Sequence, residues 1–157
     1  EKYFRANRFL WTHRNLSHCI PSFLSMVCHS RSIFSDRVGL EEVRDHWVKK
    51  TTYMLEKGLA YRNTGENSIQ FIDILYEDLV ADPMTQLERI YRPLGGISGD
   101  LRQSFRMADR ENPYGKYGIH EYSLADFNLD QIQLETQNSE YHTLFKSLAG
   151  RSRTGWR

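Results

Sequence analysis

Two short apolar runs, Phe9-Leu10-Trp11-Thr12 and Phe71-Ile72-Asp73-Ile74-Leu75-Tyr76, limit this chain more than any other feature, because the stretch between them reads as helix. The first runs without alternation, as expected of a strand buried on both faces. Strands joined through long helices require crossover connections, which make them parallel. The expected class is therefore α/β, with parallel strands flanked by helices. Two parallel strands alone make a poor sheet. The N-terminal strands are accordingly expected to be missing, lying upstream of Glu1.

Helical periodicity fills the rest. From about Ser17 to Arg31, Ile20, Phe23, Leu24 and Val27 share one face and Ser22, Ser25 and His29 another, with Pro21 expected in or near the first turn. A second helix is predicted over Leu40–Lys57, turning Leu40, Val43, Trp47, Met54 and Leu55 inward and ending at Gly58. Asp82-Pro83 opens a third, since aspartate caps and proline suits the first helical position. Its stripe is Leu87, Ile90, Tyr91 and Leu94, and it stops at Gly95-Gly96. A short helix around Leu101, Phe105 and Ala108, a loop over Asn112–Ser123 and a last helix from Leu129 to Leu148 complete the chain. No repeat or linker divides it, so one unit is expected, ending in a basic tail.

Composition narrows the function classes. A chain of 157 residues has room for one domain with a single core. With 21 basic against 20 acidic side chains, bulk charge does not support extended nucleic-acid binding. Fifteen of those 21 are arginine, the side chain suited to bidentate recognition of phosphate or carboxylate, so a local anion site stays open. There is no apolar run long enough to span a membrane, and Glu1-Lys2-Tyr3-Phe4-Arg5 does not read as a signal peptide. Cys19 and Cys28 are nine positions apart, on opposite faces of one helix, and read as reduced thiols. A reducing, cytoplasmic setting is expected.

Two constellations carry chemistry. Thr12-His13-Arg14-Asn15 with Pro21-Ser22 leaves the carboxyl end of a strand and enters a helix, the usual ligand crevice of open α/β sheets. Arg14 and the Ser22 hydroxyl there can hold one phosphate beside the helix N-terminus, or Arg14 can pair with Asp36 or Asp73. The second is the loop from Asn112 to Tyr122. Gly115 and Gly118 permit close approach of a ligand and Lys116 offers a point charge. Tyr114, Tyr117 and Tyr122 either stack on a base or pin the loop, and His120 reads as structural. The carboxylates Glu77, Asp78 and Asp82 read as structural, Asp82 as a cap. No zinc spacing, Walker loop or nucleophile elbow is present, so no metal is expected.

In this order the pieces resemble the bacterial sulfotransferase family, enzymes that move a sulfuryl group from 3′-phosphoadenosine 5′-phosphosulfate (PAPS) to an acceptor. Phe9-Leu10-Trp11-Thr12-His13-Arg14 with Pro21-Ser22 looks like the family's strand, arginine loop and serine. Ile74-Leu75-Tyr76-Glu77-Asp78-Leu79-Val80-Ala81-Asp82-Pro83 resembles its second signature, continued by Ile90-Tyr91 and Leu94-Gly95. Asn112-Pro113, Gly115-Lys116, Gly118, His120 and Tyr122-Ser123-Leu124 resemble its C-terminal loop. The resemblance implies the C-terminal part of a P-loop-like sulfotransferase fold, with residues 1–149 one portion of a single domain and 150–157 its tail. It implies that Arg14 and Ser22 bind the 3′-phosphate of the nucleotide and that Lys116 and Gly118 lie in the loop that closes over it. That loop departs from the family pattern at Tyr114, Ile119, Glu121 and Asn128. The phosphosulfate loop and the usual source of a catalytic base would lie upstream, so no catalytic residue is assigned and the chain is expected to be inactive alone. PAPS and 3′-phosphoadenosine 5′-phosphate (PAP) are the implied cosubstrate and product. The implied acceptor is a hydroxyl or amine on a small molecule, glycan or lipid, with Trp47, Tyr53 and Phe34 as candidate lining. A rival reading is a non-catalytic fragment or degenerate homologue acting as a helical interaction module; another is a kinase-like enzyme using ATP.

Overall fold

The computed structural model describes residues 8–64, 70–113, 115–116, 118 and 120–152. They fall into two units, one comprising residues 1–13 with 68–120 and the other residues 14–67 with 121–157. In the first unit β1 (Arg8–His13) and β2 (Gln70–Leu75) pair in parallel, with Phe9 beside Phe71 and His13 beside Leu75. One face of the pair is aromatic: Phe9 stacks on Phe71 with ring centroids 5.7 Å apart, and Trp11 on His13 at 5.2 Å. Ile74, on the other face, is fully buried. The expectation that β1 is buried on both faces is corrected, since Phe9 is 40% and Leu10 54% exposed. With one neighbouring strand among the described residues, β1 is covered toward its end, where Trp11 is half-buried and His13 buried.

The chain passes from β2 straight into α3 (Tyr76–Ala81), a helix that the sequence pattern did not separate from its successor. Asp82 closes α3 and caps α4 (Pro83–Tyr91), its carboxylate accepting the Thr85 N–H at 3.1 Å with Pro83 in the first turn. The buried member of α4 is Gln86, while Leu87, Ile90 and Tyr91 are half-buried. Leu94 is 59% exposed, because Arg92–Leu94 tightens into a 3-10 turn before Gly95 turns the chain at φ 97°. In α5 (Gly99–Glu111) Ser98 caps the Leu101 N–H at 3.2 Å, and Phe105 meets Tyr91 of α4 edge-on.

The Asp82 cap makes a pH prediction. Hydrogen bonds from the Thr85 side chain, then from its backbone N–H, hold the Asp82 carboxyl below the usual carboxylate range. A lowered folded-state pKa contributes stability that is complete above the ordinary value and is lost as pH falls through the lowered one. Thermal midpoints taken from about pH 5 to about pH 2 should therefore fall less steeply for Asp82→Ala than for the parent chain. Parallel curves would remove the cap from the acid response.

The second unit holds α1 (Leu16–Ser32), α2 (Leu40–Asn63), a 3-10 turn at Ala125–Phe127, α6 (Gln131–Gln137) and α7 (Ser139–Ser152). Asn15 caps α1, its Oδ1 accepting the Ser17 N–H at 3.0 Å and the Ser17 hydroxyl at 2.9 Å. Its core draws Leu16, Ile20 and Leu24 from α1, Val43 and Leu59 from α2, Phe127 from the turn, and Leu134, Tyr141 and Leu148 from the last two helices. Three expectations are corrected. Pro21 is the sixth residue of α1 rather than a first-turn residue, because the chain turns helical at Leu16 and the buried Ile20 and Leu24 flank the proline. Gly58 does not end α2, which continues so that Leu59 reaches the core at 4% exposure; Leu40 and Met54 face outward instead. The last helix is two helices, broken at Asn138 (φ −118°, ψ 37°), where the buried side chain donates from Nδ2 to the Leu134 carbonyl at 2.9 Å and competes with the helix ladder. Helix α7 also runs to Ser152, into what reads as tail. Among the described residues no helix is long and apolar enough to cross a membrane.

Candidate anion-binding site

Arg14 lies between the last residue of β1 and the cap of α1, and it is held at three points. Its backbone N–H donates to the Tyr141 Oη at 3.3 Å, and the Tyr141 hydroxyl donates to the Arg14 carbonyl at 3.2 Å. Its guanidinium Nη2 donates to the Tyr122 Oη at 3.1 Å. Tyr141, in the first turn of α7, is 4% exposed, and Arg14 and Tyr122 are half-buried. The first turn of α1 carries no acidic side chain, so the positive end of its dipole and the Arg14 charge add there. Ser22 stands seven residues beyond the Asn15 cap and half-buried on α1. At about 100° and 1.5 Å per residue that returns it to the cap's side of the helix, about 10 Å along the axis. Arg14 precedes that cap, outside the helix, and Ser22 lies in the second turn of α1.

Lys116 and Gly118 belong to the other unit. Lys116 Nζ donates to the Glu111 carbonyl at 2.6 Å and to Asn112 Oδ1 at 3.4 Å, closing the carboxyl end of α5. Gly118 turns the chain at φ 94°, with its N–H bonded to the Gly115 carbonyl at 2.9 Å. Tyr114, Tyr117 and Ile119 lie outside the described residues. Of the three loop tyrosines, Tyr122 is the one placed, and it meets Arg14.

Asp73 pairs with His13. His13 Nε2 and Asp73 Oδ1 are 2.9 Å apart, with the two side chains 0% and 14% exposed. Arg89 of α4 reaches back from Nη2 to the Asp73 carbonyl and from Nη1 to Gln86 Oε1 at 3.0 Å. Burial pulls the Arg89 guanidinium below its ordinary range, opposed by the Asp73 and Asp78 carboxylates. The pair carries a signal in the sequence: an acid inside an apolar strand needs a partner, though nothing local says which. Tyr141 carried none beyond its place in a helical stripe. Asp36, the other candidate partner for Arg14, is exposed.

Among the described residues no group of three or more His, Cys, Asp or Glu is placed to hold a metal ion. Cys19 is exposed, Cys28 half-buried, and both are free thiols. Phe34 and Trp47 do line a common groove of about 540 Å³ with Met26, Arg31 and Arg37, but Tyr53 does not join them.

Residues 1–97 match the model of the sulfotransferase family. The chain belongs to the sulfotransferase family. The matched segment of this sulfotransferase takes in β1, Arg14, Ser22 and the run from β2 through α4, and it ends before Lys116, Gly118, Tyr122 and Tyr141. No curated protein and no solved structure matches the chain. Sulfuryl transfer is the chemistry of the family to which these residues belong.

Proposed function

We propose that this sulfotransferase takes its sulfuryl group from PAPS and that Arg14 and Ser22 hold the 3′-phosphate of the nucleotide. The observation carrying the proposal is the half-buried Arg14 guanidinium beside the amino end of α1. A dianionic phosphate suits a planar charged fork beside a helix whose first turn carries no acidic side chain, with the Ser22 hydroxyl added by the family resemblance. The family resemblance also assigns Lys116 and Gly118 to nucleotide binding.

When PAPS is bound, an acceptor oxygen or nitrogen attacks sulfur in line, a new bond to sulfur forms as its bond to the phosphate oxygen breaks, and PAP leaves. Arg14 and Ser22 position the nucleotide and select for its 3′-phosphate; they make no bond to sulfur. Catalysis of this kind rests on positioning and on stabilising charge on the leaving group. The exposed apolar residues Phe9 and Leu10 at the open start of a two-stranded sheet suit a sheet continued by further strands. In this proposal residues 1–149 belong to a single sulfotransferase domain. The acceptor is a hydroxyl or amine on a small molecule, glycan or lipid.

A second reading, a non-catalytic helical interaction module, is favoured by one observation: Lys116 Nζ is bonded to its own helix end. Calorimetric titration with PAP and with adenosine 5′-monophosphate (AMP) separates the two. Selective binding of PAP is expected, and absence of any preference for the 3′-phosphorylated nucleotide would overturn the assignment.

A further inference from the structure

We propose that Tyr122 and Tyr141 are the positioning residues of Arg14, one aiming its guanidinium and the other fixing its backbone. Tyr141 uses a single phenol oxygen for two bonds to the main chain of one residue, accepting from the N–H and donating to the carbonyl. Both peptide planes that flank the Arg14 Cα are pinned, which sets the direction in which its side chain departs. The phenol belongs to a residue 4% exposed, so water competes little for either bond. Tyr122 then meets the far end of the side chain at Nη2. An arginine side chain has several rotatable bonds, and ordering them on binding costs affinity unless it is done beforehand. Two anchors at opposite ends of one side chain do it beforehand.

The two tyrosines are 108 and 127 positions from Arg14 and lie beyond the segment that matches the family, so this role is assigned from contacts alone. Its consequence for nucleotide binding rests on the proposal that Arg14 holds the 3′-phosphate, and its consequence for Arg14 itself does not.

The test therefore has two readouts on the full chain, with Tyr122→Phe and Tyr141→Phe, which keep the rings and remove the oxygens. Nitrogen-15 spectra of the arginine side chains should show restricted rotation of the Arg14 guanidinium in the parent chain and its release in Tyr122→Phe. Hydrogen exchange at the Arg14 amide should accelerate in Tyr141→Phe. A guanidinium or an amide that behaves identically in parent and variant overturns the corresponding anchor. In the second readout, Tyr122→Phe should weaken PAP about five- to tenfold, leave AMP binding and the thermal midpoint unchanged, and have no effect in an Arg14→Ala background. The same loss in that background would overturn the positioning role. Loss of restraint on Arg14, together with PAP binding indifferent to Arg14→Ala, supports the anchors and sinks the nucleotide assignment instead.

Discussion

Arg14→Ala is expected to lower the affinity for PAP by about 2–4 kcal/mol, roughly thirty- to several-hundred-fold, since a charge-assisted contact to a phosphate is lost. AMP lacks the 3′-phosphate, and its affinity should change little. The comparison isolates the phosphate: a variant that merely loosened the fold would weaken both nucleotides. Arg14→Lys should fall between, because the charge remains while the planar fork and its bond to Tyr122 do not. The titrations are run at one fixed ionic strength, since part of the effect is screened by salt. Two equal dissociation constants for parent and Arg14→Ala would remove Arg14 from the nucleotide site.

Asp73→Ala is expected to cost about 2–4 kcal/mol of stability, read from urea unfolding followed by circular dichroism. The side chain it faces, His13, is fully buried, so the imidazole loses its carboxylate partner with no water to replace it. Asp73→Asn retains a hydrogen-bonding oxygen 2.9 Å from the imidazole and should recover part of the loss. A change within about 0.5 kcal/mol for both variants would mean that the pair contributes nothing net to the fold.

Legible in the sequence are the features that neighbouring residues decide between them. The end of β1 and the Asp82-Pro83 start of α4 arise from strand composition, a capping oxygen and a fixed proline φ, all acting within a few residues. Pro21, Gly58 and Asn138 mark the opposite case. Proline and glycine are weak helix formers, yet Leu24 and Leu59 sit in the core, and the tertiary gain from burying them overrides the local preference. Asn138 is the reverse: a run with helical periodicity throughout is interrupted by one buried amide. At the site, Arg14 and Ser22 are close in sequence, and their position around the start of α1 was open to inference. Tyr122 and Tyr141 were not, because no local pattern ties a phenol to an arginine more than a hundred residues away.

From Gln70 to Leu94 a single residue, Asp82, stands outside strand or helix. The strand and the two helices after it thus form a bracket without slack, braced at its far end where Arg89 returns to the Asp73 carbonyl. Such a bracket is intolerant of length. One residue inserted beside Asp82 would swing α4 through about 100° and slide it by about 1.5 Å, carrying Arg89 off the strand. Most loops absorb an added residue on the surface; here the frame itself would have to turn, so this segment should be among the least forgiving of insertions in the chain.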